Sequence, residues 1–338
     1  MKTPAKYRSF LPWTSLSPGD ISQYRPDDRS GALYLEDERL RFVAEVAIVT
    51  QRPLLLRGEP GCGKSSFAPF VARNLNWRYY EQTVTGRTEA KDLLWRFDAL
   101  ERLRDARRVD STADMSASQY VTPGPLWWAF NRPKALELVS RAIDEGQPRA
   151  VEPFSELNRL RDPQRAVVLI DEIDKADPNV PNDLLEVLGT NRFSVEEADL
   201  LVSRLVVSPS GPKTSPNQHG ALLTVITTNE ERDLPAAFLR RCVVHTIAEP
   251  DTPAEKNARL VNIALLHMKQ LVEARKDGAK MVEQIAAKCL ELREDAKRRQ
   301  RRGPSIAEFL DAVRFCLVRG VGPDHDEWKV VQQSVLLK

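Results

Sequence analysis

Eight consecutive residues, Gly58, Glu59, Pro60, Gly61, Cys62, Gly63, Lys64 and Ser65, have the types and spacing of a loop that wraps a phosphate chain, Gly-x-x-x-x-Gly-Lys-Ser/Thr. The glycines let the backbone turn close to an anion, and Ser65 and Ser66 open a helix whose N-terminal amides point at the same charge. Lys64 is placed to reach the β- and γ-phosphates of such a chain as a point charge. The Ser65 hydroxyl is placed to join the shell of a magnesium ion held by those phosphates. Far downstream, Asp171 and Glu172 form a carboxylate pair with complementary chemistry: Asp171 in the magnesium shell, and Glu172 to orient and polarise the water that attacks the γ-phosphate. Asn229, in Thr227-Thr228-Asn229, adds an amide that can hold that water.

Such residues act together only if a scaffold gathers strand tips. Leu54, Leu55 and Leu56, opened by Pro53, read as a buried strand running straight into the loop. Ala166-Val167-Val168-Leu169-Ile170 is a continuous, largely β-branched apolar run, the pattern of a strand buried on both faces of a parallel sheet, and it ends in Asp171. Ala221 to Thr228 has the same character and ends at Asn229. The carboxyl tips of such strands border the crevice where open α/β sheets bind ligands.

The chain has 338 residues, 42% of them hydrophobic, enough for a large core and for two domains. No apolar run approaches the ~20 residues needed to span a bilayer, and Pro4, Pro12 and Pro18 break the N-terminal stretch where a signal peptide would need continuity. Cys62, Cys242, Cys289 and Cys316 are scattered, as are the four histidines, so neither a disulfide framework nor a zinc site is indicated. A cytoplasmic protein without membrane insertion is expected. The net charge of +2 neither requires nor excludes nucleic acid.

Residues 1–34 read as an extended arm. Apolar residues at helical spacing predict a helix over Glu36 to Thr50, and Tyr79 to Val84 a second strand. Glu89 to Arg108 is charged and helical in pattern, followed by a polar stretch from Asp110 to Gln119. Tyr120 to Phe130 is a turn dense in apolar bulk, with Trp127 and Trp128 expected as core or interface anchors. Lys134 to Glu145 reads as a helix, Gln147 to Arg165 as irregular, and Asp183 to Gly189 as a short helix closed by its glycine. A hairpin is expected over Arg192 to Val207, a polar loop over Ser208 to Gly220, and a turn and short helix over Asp233 to Arg241. Beyond a boundary at Glu249 to Pro253 the pattern is helical: Ala254 to Glu273, Ala279 to Arg299, and a helix from Ser305 capped by Glu308. Lys297 to Arg302 is the basic cluster, most often a solvated loop, with a surface facing nucleotide or nucleic acid as the alternative.

With the phosphate loop, acidic strand tip, Thr-Thr-Asn tip, paired arginines and helical C-terminal region in this order, the chain resembles the AAA+ ATPases, and within them the MoxR-like branch, over about residues 35 to 320. The resemblance implies an α/β fold: a P-loop AAA+ module with a parallel sheet flanked by helices over 35–249, followed by a small all-α lid domain over 250–338. It implies that Asn229 is the first sensor and that an arginine reaches into a neighbouring subunit's site as a finger. Arg241 matches that place best, with Arg240 beside it as the alternative. The Pro-Gly-Pro-Leu-Trp-Trp stretch resembles the branch's inserted loop, and Arg192 to Val207 its hairpin before the first sensor. A basic second sensor usually starts the lid helix. Ile306-Ala307-Glu308 supplies none, leaving Arg302 or Arg314 as substitutes.

The resemblance further implies a ring, commonly a hexamer, that hydrolyses ATP with Mg2+ to remodel, mature or activate a separately encoded partner protein carrying a metal-binding adhesion-type domain. The missing second sensor keeps another reading open, a nucleotide-gated switch or scaffold of a bacterial signalling or defence complex with little turnover.

Overall fold

The computed structural model describes residues 11, 13, 30–35, 37–106, 116–144, 151–204 and 221–336. Most of the expected N-terminal arm, the Ser208 to Gly220 loop and part of the 110–119 stretch lie outside these. The chain forms two compact units. One comprises Glu38–Arg57 and Asn74–Thr246 with Leu11 and Trp13; the other gathers Gly58–Arg73, residues 30–35 and 37, and residues 247–336.

The first unit is built on a five-stranded parallel sheet flanked by helices. In chain order its strands are β1 (Leu54–Arg57), β2 (Trp77–Thr83), β5 (Asp162–Asp171), β8 (Leu222–Thr227) and β9 (Val243–Thr246), arranged β2-β5-β8-β1-β9. The apolar runs become its three central strands. Register fixes which tips lie side by side: Leu56 is opposite Thr227, and Ile170 opposite Ile226. The outer edge of β2 is occupied by Asn158 of the short helix α6 (Ser155–Asn158). Its amide oxygen accepts from the Tyr79 N–H at 2.8 Å while its nitrogen donates to the Tyr79 carbonyl at 3.0 Å, mimicking one rung of a further strand. Helix α1 (Glu38–Thr50) buries Leu40, Ala44, Ala47 and Ile48. The Trp13 indole donates to the buried Glu45 carboxylate of this helix at 2.6 Å and lies under the Arg41 guanidinium.

Trp127 and Trp128 lie in helix α4 (Pro125–Phe130), both fully buried in the same core as Tyr80, Val168, Ile170 and Ile226. Helix α5 (Arg132–Asp144) follows where Lys134 to Glu145 predicts one. Over its described residues, 89–106, the segment read as helical departs from that periodicity. It forms a single turn at Ala90–Leu93, strand β3 (Trp95–Phe97), which pairs antiparallel with β4 (Val121–Pro123), and helix α3 (Ala99–Ala106). Tertiary packing overrides the local pattern here. The Trp95 ring stacks on Phe193 at 5.6 Å and 8°, and its indole donates to Glu197. Phe193 and Glu197 belong to the hairpin formed by β6 (Arg192–Val195) and β7 (Leu200–Ser203), which the sequence predicts there. Helix α7 (Val180–Thr190) runs past Gly189 and stops at Asn191 in the left-handed region (φ 52°), so asparagine supplies the closing residue in place of the glycine. Of the 147–165 segment, which its sequence reads as irregular, the described residues 151–165 hold α6 and the first residues of β5.

The second unit contains helices α2 (Lys64–Asn74, all but its last residue), α9 (Pro253–Glu273), α10 (Gly278–Arg298), α11 (Ile306–Arg319) and α12 (Glu327–Val331). Leu260, Ala264, Val282, Ile285, Phe309, Val313 and Trp328 form part of its core. Capping boxes start α9 (Thr252 with Glu255) and α11 (Ser305 with Glu308), the second as the sequence indicates. Each is worth about 1 kcal/mol. Helix α2 continues through Pro69. Against it, Tyr34 packs on Phe70 and Phe67 with ring centres at 4.8 and 5.7 Å.

Candidate active site

The phosphate loop follows directly from β1. Gly58, Gly61 and Gly63 all take positive φ (141°, 81° and 99°), and it is this that gives the loop its turn, closed by a hydrogen bond from the Cys62 N–H to the Glu59 carbonyl. Lys64 begins α2, and only 5% of it is exposed. Its ammonium donates to the Gly58 carbonyl at 2.6 Å and the Glu59 carbonyl at 2.9 Å. A buried cation on a loop of left-handed glycines, at a helix N-terminus, has the chemistry to hold a polyphosphate. Burial pushes the Cys62 thiol up, against the opposing pull of the Lys64 ammonium.

The acidic tip is organised from β8. The Thr227 hydroxyl donates to Asp171 Oδ1 at 2.6 Å and accepts from the Glu172 N–H at 2.9 Å, so one side chain sets both acids. Glu172 sits in the left-handed region (φ 61°), an uncommon place for a non-glycine residue. Its carboxylate is held on both oxygens: Asn229 Nδ2 donates to Oε1 at 3.4 Å, and Lys175 Nζ to Oε2 at 2.7 Å. That hydrogen bond in turn lifts the Lys175 ammonium above its usual range. Asp174, 3% exposed, accepts from the Asn229 and Glu231 N–H groups at 3.1 and 3.0 Å and thereby fixes the turn that carries Asn229.

Arg240 and Arg241 end helix α8 (Ala236–Arg241), which is anchored by the buried Phe238. Both side chains are exposed, and among the described residues neither guanidinium has a hydrogen-bond partner. The Arg52 guanidinium donates to the carbonyls of Arg240 and Arg241, capping the helix they terminate. Arg302 donates to Glu308 at 3.4 Å with 71% of its side chain exposed, and the charge of Arg314 bears on His267, whose imidazole is lowered mainly by burial.

The structure thus brings Asp171, Glu172 and Asn229 together, and separately gathers Gly58 to Ser65 around the lysine. Sequence reasoning missed Lys175, Asp174 and Arg52 as supports. Lys175 carries a faint signal, three residues from Glu172, whereas Arg52 is 189 positions from Arg241 and gives none. Among the described residues no three His, Cys, Asp or Glu side chains could hold a metal ion. A hydroxyl at Ser65 and one carboxylate at Asp171 are instead the kind of donors magnesium takes when phosphate oxygens and water complete its shell. No helix among the described residues is long and apolar enough to cross a membrane.

The sequence profile of the AAA domain, dynein-related subfamily, matches residues 53–242, more than half of the chain. No curated protein matches. Among solved structures, a point variant of RuvB from Thermotoga maritima is similar at 13% identity with a TM-score of 0.42, over 88% of this chain and 67% of that one. On the strength of the profile match, with the phosphate loop and acidic strand tip both inside it, the chain belongs to the AAA domain family, dynein-related subfamily.

Proposed function

We propose that this protein is a MoxR-like AAA+ ATPase that hydrolyses ATP at the subunit interfaces of a cytoplasmic ring, a hexamer by family resemblance, and uses the cycle to remodel or activate a separately encoded partner protein. The functional division is residues 35–249 for nucleotide chemistry and 250–338 for the lid. The observation that carries the reading is the joint hold of Asn229 and Lys175 on Glu172, next to an Asp171 oriented by Thr227. A carboxylate fixed on both oxygens beside a second acid is prepared to act on a water rather than merely to cap a strand.

In this scheme the loop amides and Lys64 bind the triphosphate, and Ser65 and Asp171 would hold magnesium. Magnesium, when bound, offsets charge on the β- and γ-phosphate oxygens. Glu172 accepts a proton from the attacking water, and Asn229 keeps that water and the Glu172 carboxylate aligned. Arg241 of one subunit, with Arg240 as the alternative, stabilises the charge that develops in its neighbour's site.

The test is Glu172→Gln, which keeps the side chain's shape and removes its basicity. Phosphate release should fall roughly 10²- to 10⁴-fold while ATP binding persists and ATP stays trapped on the protein. A variant that turns over at the parental rate would remove Glu172 from the mechanism. A parent that traps ATP without turnover, even with its partner present, would instead establish the switch or scaffold reading.

A further inference from the structure

The lid helix α11 starts without a basic residue, yet a lid arginine does reach the phosphate loop. Arg259, in the second turn of α9, donates from one terminal nitrogen to the Ala248 carbonyl at 3.2 Å and from the other to the Cys62 carbonyl at 3.2 Å. The first contact ties it to the connection that enters α9, so the guanidinium is fixed at its base. The second falls on the peptide immediately before Gly63 and Lys64. In a planar trans peptide the carbonyl and the next N–H point opposite ways. Drawing the Cys62 carbonyl toward α9 therefore turns the Gly63 N–H away from α9, a rotation that the positive φ of Gly63 accommodates.

The start of α11 lies beside the same loop: a Cβ built on Gly61 would stand 3.5 Å from the Ile306 nitrogen and 3.7 Å from the Ser305 Cβ, ordinary van der Waals distances. The other lid arginines of this region are engaged elsewhere: Arg302 on Glu308, and Arg293 on the Pro304 carbonyl at 2.7 Å.

We propose that Arg259 is a positioning residue of the phosphate loop, a lid-borne cation that holds the Cys62–Gly63 peptide in its phosphate-binding orientation and makes nucleotide affinity depend on the placement of α9. It acts on the loop, not on the nucleotide. The inference rests on the nucleotide reading above and assigns to the lid a route to the loop that needs no basic residue at Ile306-Ala307-Glu308.

The experiment is titration of the full chain, in magnesium, with fluorescent ADP and with a fluorescent non-hydrolysable ATP analogue, for the parent, R259A and R259K, alongside nucleotide-free melting. R259A should weaken both nucleotides equally, by about tenfold or more. R259K, which keeps the charge but cannot span two carbonyls, should fall between R259A and the parent, and the nucleotide-free melting midpoints should stay close to the parental one. Parental affinity in R259A would overturn the proposal. So would a loss confined to the ATP analogue, which would mean that the guanidinium reads the γ-phosphate itself. A parent that binds neither nucleotide would overturn the nucleotide reading, and this inference with it.

Discussion

At Gly58 to Ser65 the shaping forces are backbone torsions and one lysine folded onto two carbonyls a few residues away. At Asp171 and Glu172 they are side chains delivered from β8, where Thr227 reaches Asp171 across a separation of 56 residues. The loop is assembled from within, while the acidic tip exists only once β5 and β8 have paired in the observed register. Damage to the two regions should therefore appear in different readouts. Changes in the loop should be felt in binding, changes at the tip in turnover, and changes in what supports the tip in stability as well.

The strongest way to sharpen this contrast lies outside both regions. Arg241→Ala should leave ATP affinity near parental and lower turnover by roughly 10³-fold or more, as expected of an arginine supplied to a transferring phosphoryl group. Adding Glu172→Gln protein, which keeps Arg241, should restore part of the rate, as measured by phosphate release from the mixture. If the mixture gains nothing, the arginine does not act in a neighbour's site.

Lys64→Ala should break the loop alone. With one charge-assisted contact removed, the dissociation constant for ATP, read by calorimetry, should rise about 10- to 100-fold. The nucleotide-free fold should survive, because the partners lost are loop carbonyls near solvent. Thr227→Val should break the tip. It removes the hydroxyl that donates to Asp171 and accepts from Glu172, so denaturant unfolding should show about 1–3 kcal/mol of lost stability, together with slower turnover at unchanged ATP affinity. An affinity change as large as that of Lys64→Ala would mean that the two regions are not separable. The smallest effect belongs to Ser305→Ala, which removes the cap of α11 beside Gly61: about 1 kcal/mol by thermal melting, with turnover nearly intact.

How legible each region was in the sequence follows from the same distinction. The loop, the strands before both tips, the lid helices and the Ser305 cap are local patterns of spacing, and each could be read from consecutive residues. Asp171 and Glu172 could be read as residue types at a strand end, but Thr227's double role could not, because it depends on register between β5 and β8. Arg52 beneath α8 and Arg259 on the Cys62 carbonyl are contacts between distant segments with no motif of their own. Trp95 shows the converse: its neighbours carry a helical period, yet stacking on Phe193 and pairing with β4 draw the segment into a strand.

The central claim is that hydrolysis is completed by a neighbouring subunit. It is tested most directly by the ATP hydrolysis rate per subunit as a function of protein concentration, with the mass of the protein in ATP measured on the same samples. The rate should be negligible for the monomer and climb steeply as a ring forms. A rate per subunit that is substantial in the monomer and unchanged by assembly would contradict it.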